Sequence, residues 1–171
     1  MPNDERLQAT DGEYMARALG DSGAVAVIGQ PELQTGLERQ EAFVAEIGRH
    51  PRMRVVAVAN GAGVRDRALT VAEDVLQGHP ELRGLFAIND ETALGALSVA
   101  KAHGKTADNF VIVGYDATPE AVAAIKAHTA LRADVAQTPH DIGTRTVDVI
   151  AAYLAKQPVD STIVVPVTIV E

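Results

Sequence analysis

The chain has 171 residues, 47% of them hydrophobic and 22% charged, which suits one soluble domain with a real core. A net charge of −8 argues against a general nucleic-acid or anionic-membrane surface, and the absence of cysteine excludes disulfides and thiolate metal sites and is compatible with any redox compartment. No apolar run approaches the ~20 residues needed to span a bilayer, and Met1 to Arg6 opens polar without a signal-peptide core, so the chain as given is not expected to be marked for export.

Helical and strand patterns alternate along the chain. Residues 10–19 read as a short helix ended by Gly20-Asp21-Ser22-Gly23, and Ala24 to Ile28 as a strand. A helix over 35–49 places Leu37, Phe43, Val44 and Ile47 near helical spacing and stops at Pro51; the β-branched run Arg54 to Ala59 reads as a strand. After the loop Asn60-Gly61-Ala62-Gly63 comes a helix over 65–77, then a strand from Gly84 to Ile88. Asp90 is the expected N-cap of a helix over 91–103, and Gly104 its expected stop. Phe110 to Val113 reads as a strand. Thr118-Pro119-Glu120 fits a cap followed by proline at the first position of a helix over 119–127. Leu131 to Ala136 is a strand, 140–155 a helix, and Thr162 to Val170 a last strand. Such alternation predicts one flavodoxin-like α/β domain, a single parallel sheet with helices on both faces, and no internal boundary over 1–171.

Few motifs for catalysis survive inspection. Gly104-Lys105-Thr106 lacks the glycine a phosphate loop needs five positions earlier, where Val99 stands, and it follows a helix rather than preceding one. Asn60-Gly61-Ala62-Gly63-Val64-Arg65-Asp66 has two glycines of a dinucleotide fingerprint, but Asp66 replaces the third, so it reads as a flexible βα loop. The five histidines, His50, His79, His103, His128 and His140, show no metal-ligand spacing, and there is no Gly-x-Ser-x-Gly elbow. Neither a metal nor a cofactor is expected, and the chain reads as no enzyme.

Three polar residues occupy equivalent places. Asn89 follows Leu85-Phe86-Ala87-Ile88, Asp116 follows Val111-Ile112-Val113-Gly114-Tyr115, and Gln137 follows Leu131 to Ala136; each then precedes a helix. In a parallel α/β sheet the carboxyl ends of the strands share one edge, outside which ligands bind. One carboxylate and two carboxamides supply both donors and acceptors, which suits a polyol, whose hydroxyls are both. Taken singly, Asn89 reads as a cap and Asp116 as a turn former; together they read as a binding set.

The same residues carry a family likeness. Leu85-Phe86-Ala87-Ile88-Asn89-Asp90-Glu91-Thr92-Ala93-Leu94-Gly95-Ala96-Leu97 resembles the signature of ribose-binding-type periplasmic sugar-binding proteins, the solute receptors of ABC importers. Val113-Gly114-Tyr115-Asp116-Ala117-Thr118-Pro119 and Val135-Ala136-Gln137-Thr138-Pro139 with Ile142-Gly143 resemble the next two blocks, in family order and spacing, and weaker similarity extends back to about Asn3. The resemblance implies a type I periplasmic binding protein truncated to its second lobe, with Asn89, Asp116 and Gln137 hydrogen-bonding a monosaccharide and an ABC permease as partner. It implies a periplasmic or cell-envelope location, or a cytoplasmic one if the chain is the complete product.

Two departures from that resemblance concern the ligand. Ribose receptors usually carry an arginine where this chain has Leu37 before Glu38-Arg39, and often an aromatic in the loop that here is Asn60-Gly61-Ala62-Gly63. The segment 138–160 would cross to a first lobe, and Ile142, Val147, Ile150 and Leu154 give its helix an apolar stripe. The expectation is a homodimer through 140–155, or else folding back of that helix on its own sheet with 162–170 pairing at an edge. The alternative function is an effector-binding or regulatory module akin to lactose-repressor-type regulators; against it, Leu131 to Pro139 resembles the transport receptors more closely.

Overall fold

The computed structural model describes residues 10–171; the polar start at Met1 to Arg6 and the likeness reaching back to Asn3 lie partly or wholly outside them. In chain order the described elements are α1 (Thr10–Leu19), β1 (Ser22–Gly29), α2 (Gln34–Ile47), β2 (Arg52–Asn60), α3 (Arg65–Gly78), β3 (Leu82–Ala87), α4 (Asp90–Ala102), β4 (Val111–Asp116), α5 (Pro119–Lys126), β5 (Leu131–Ala136), α6 (Pro139–Leu154) and β6 (Thr168–Val170). They form one sheet in the order β2-β1-β3-β4-β5-β6. β1 to β5 run parallel, so their carboxyl ends meet along a single edge.

Strand composition follows from position. β1 lies between β2 and β3, and its Val25, Ala26, Val27 and Ile28 are fully buried, whereas β2 at the edge is mostly part-exposed. On one face Val25 and Val27 pack with Tyr14, Met15 and Leu19 of α1 and Phe43 and Ile47 of α2, and Phe43 stacks on Phe86 at 4.6 Å. On the other face Ile28, Leu85 and Ile112 pack with Ala72 and Leu76 of α3, Leu94 and Leu97 of α4, and Ala121 and Ile125 of α5. The α/β expectation therefore holds, with helices on both faces.

Three details differ from expectation. Asn89, not Asp90, is the N-cap of α4: its backbone is extended and its Oδ1 accepts from Thr92 N at 2.9 Å. Both residues are good cap formers, and only the fold decides which one stays outside the helix. The sheet is not wholly parallel, because β6 runs antiparallel to β5, pairing Ile169 with Val135. That last strand is also three residues long rather than nine, and residues 160–165 run beside α6 instead, where Ile163 and Val165 line a shallow groove with Ile142 and Ile150.

The helix α6 does not fold back on the sheet. None of its residues is buried, and Val147, Ile150 and Leu154 are 65%, 53% and 75% exposed. At the end of α4 the glycine stop is as expected: Gly104 takes φ +69°, and Lys105 N donates to Ala100 O at 2.9 Å. Thr118 caps α5 by accepting from Ala121 N, with Pro119 at the first turn.

Candidate functional site

The carboxyl ends of β3, β4 and β5 bring Asn89, Asp116 and Gln137 to the same edge of the sheet. The latter two touch: Gln137 Nε2 donates to Asp116 Oδ1 at 2.6 Å. Asn89 is committed on both sides, for besides capping α4 its Nδ2 donates to Gly63 O at 3.0 Å. The cap reading of Asn89 is thus correct as structure, yet the same bonds tie the β2–α3 loop to the start of α4. Among the described residues, one amide hydrogen and one carbonyl lone pair of Asn89 stay unpaired.

Arg39 joins these residues, and the sequence reading did not select it. From α2 it donates to Ile88 O at 3.1 Å, stands 4.0 Å from Asp116 Oδ1, and lays its guanidinium 3.7 Å from the centre of the Tyr115 ring. Leu37 stands where ribose receptors usually carry an arginine, and the cation of this edge comes from Arg39, two residues later. The available signal was spacing: Arg39 lies one helical turn before Phe43, which is fully buried, so both project toward the sheet. Tyr115 is not a free stacking surface, because it is buried and Arg39 covers it.

The β2–α3 loop packs closely on this group. Gly63 has φ +66°, and a Cβ there would lie 2.5 Å from Gln30 Oε1 and 3.2 Å from Asn89 Nδ2. Ala62 N donates to Asn60 Oδ1 at 2.8 Å, and Asn60 Nδ2 donates in turn to Glu32. The loop is therefore a polar rim held by hydrogen bonds, not the flexible loop expected from its sequence. Gln30, also unselected, is its neighbour from the end of β1.

Electrostatically the centre is a carboxylate held beside a cation. Burial raises the Asp116 carboxyl above its ordinary range, while the bond from Gln137 and the charge of Arg39 oppose that rise. Its backbone is unusual: Asp116 has φ 121° and Ala117 φ 53°, both in the region disfavoured for residues with a Cβ. The arrangement can offer a short-range acceptor at Asp116 and amide donors and acceptors on either side, all on one wall.

Residues 3–158 match the family model described as a periplasmic binding protein domain. The chain is 34% identical over 161 residues to the ribose import binding protein of Salmonella typhimurium, covering 90% of this chain and 53% of that protein. With the ribose import binding protein of Bacillus subtilis it shares 35% over 156 residues, 90% of this chain and 48% of the other. It spans about half the length of these curated relatives. Among solved structures, an ABC transporter solute binding protein from Bacillus halodurans with bound myo-inositol superposes with a TM-score of 0.86 at 26% identity, over 98% of this chain and 58% of that one. A glucose-galactose binding protein from Geobacillus stearothermophilus matches the fold at a TM-score of 0.92 and 20% identity, over 98% and 60%.

Proposed function

Because this chain belongs to the periplasmic binding protein family, we propose that it supplies one wall of a monosaccharide-binding cleft in the solute receptor of an ABC sugar importer. Asn89, Asp116 and Gln137 are the hydrogen-bonding side chains of that wall, and residues 1–171 act as a single sugar-binding lobe. The observation that carries the reading is the contact of Gln137 with Asp116 beside Arg39, at the strand ends next to Asn89. The role is recognition without catalysis. An ABC permease as partner and a periplasmic or cell-envelope location are supported by the family's description as a periplasmic binding protein domain and by the relatives' names as import binding proteins.

One wall binds weakly. Three side chains at ~0.5–1.5 kcal/mol net each give about 1.5–4.5 kcal/mol, against ~4.1 kcal/mol for a millimolar complex. Calorimetric titration with aldopentoses, aldohexoses and inositol should give a roughly millimolar dissociation constant or weaker. Asp116→Ala should weaken binding more than Asn89→Ala, since a carboxylate makes charge-assisted bonds about twice as strong as neutral ones. A micromolar constant from a proven monomer, or binding indifferent to Asp116→Ala, overturns the proposal.

The exposed α6 stripe supports a second element of the reading, a homodimer through residues 140–155. Each fully buried aliphatic side chain contributes ~1.5–3 kcal/mol, so Val147, Ile150 and Leu154 favour covering by a partner copy.

A further inference from the structure

Behind the Asp116 turn lie two carboxyl groups that the binding wall does not use. Asp90, the first residue of α4, is 2% exposed, and Asp134 of β5 is 0% exposed. Each turns one oxygen to the turn: Asp134 Oδ1 accepts from Ala117 N at 2.9 Å, and Asp90 Oδ2 from Thr118 N at 2.6 Å. The remaining oxygens, Asp134 Oδ2 and Asp90 Oδ1, find no donor among the described residues. They converge above Gly114, where a Cβ would collide with the first and lie 3.1 Å from the second. Two ionised carboxylates cannot face each other in an apolar interior without a cation or a proton between them.

We propose that Asp90 and Asp134 share one proton between these inner oxygens, and that the resulting carboxyl pair is the clamp holding the Asp116–Thr118 turn. The pair positions rather than binds. Its outer oxygens take up the two amides that follow Asp116 and so stabilise the left-handed Asp116 and Ala117. Among the described residues, the charged groups acting on Asp134 are Asp90 from α4 and Asp116 from β4, with Arg39 of α2 beyond Asp116; its neighbour on β6 is the apolar Val170. Burial first, then the hydrogen bond and charge of Asp90, hold the Asp134 carboxyl far above the ordinary carboxylate range. The proton is therefore kept at neutral pH and released in alkali, where repulsion loosens the turn. That the clamp serves a ligand rests on the binding wall proposed above; the shared proton and the held turn do not.

The test is carboxyl carbon-13 and amide NMR of the full chain, titrated from acid to alkali. The expected result is a protonated carboxyl of this pair persisting at neutral pH, with the Ala117 and Thr118 amides shifting at the midpoint where it is lost. Asp134→Asn keeps an acceptor for Ala117 N and gives Asp90 an N–H donor, so the turn's amide shifts should remain and the midpoint vanish. Asp134→Val removes the acceptor, and amide exchange at Ala117 should accelerate by about tenfold or more. Both carboxyls ionised at neutral pH, or amides that stay still through the transition, overturn the clamp. A chain that shows the proton and the coupled amides but whose sugar binding is indifferent to Asp116→Ala supports the clamp and refutes the binding wall.

Discussion

Replacing Arg39 by alanine removes three contacts at once. The guanidinium's charged donor bond to Ile88 O at 3.1 Å is worth ~1.5–3 kcal/mol, and its position 3.7 Å from the Tyr115 ring centre ~0.5–2 kcal/mol. The ion pair with Asp116, at 4.0 Å and with Asp116 35% exposed, adds little. Since contacts on one side chain do not add fully, the expected loss is about 2–4 kcal/mol. At ~2–4 °C per kcal/mol for a domain of this size, the melting temperature should fall by roughly 5–15 °C. Urea unfolding of Arg39→Ala, Arg39→Met and the parent measures it. Arg39→Lys keeps a charge near Asp116 but loses the flat face on Tyr115, so it should recover less than about half of the loss. Removing the cation should also raise the Asp116 carboxyl further, because Arg39 is one of the two influences that lower it. A loss under ~0.5 kcal/mol for Arg39→Ala, the size of an ordinary surface change, would refute the assignment of Arg39 as the brace of this edge.

Three further outcomes follow from the same geometry. Burial pushes the Asp11 carboxyl up to about 7, against the bond from Gly12 N and the charge of Arg39. The folded state thus holds that proton to higher pH than the unfolded chain, so this contribution is full below ~4 and is lost as pH rises to about 7, by ~1.4 kcal/mol per unit; Asp11→Asn should flatten that dependence in urea melts, and a parent-to-variant gap constant with pH would contradict it. Gly114→Ala should cost at least ~1–3 kcal/mol, because its methyl group collides with Asp134, as thermal unfolding would register. Ile150→Asp with Leu154→Asp should convert a dimer to a monomer in light scattering and leave the circular dichroism of the lobe unchanged, since both side chains stand outside its core; a persisting dimer places the interface elsewhere.

Local pattern was enough for the alternation of strands and helices. The all-apolar run of β1, the Thr118-Pro119 cap and the Gly104 stop each act within a few residues, and a sequence displays such effects directly. It was enough, too, to put Asn89, Asp116 and Gln137 at one edge, because every parallel strand followed by a helix ends on the same side. Tertiary structure alone decided the direction and length of β6, whose three residues answer to β5 rather than to their own propensity. It also chose between Asn89 and Asp90 as cap: Asp90 turns inward to accept from Thr118 N, 28 residues away in the chain. Arg39 reaches Ile88 across 49 residues, and Asp134 meets the Ala117 amide across 17. What distinguishes these residues is the energy of a polar group removed from water, which depends on partners supplied by other strands. No window of neighbouring residues contains those partners, so their roles emerge only when the sheet assembles.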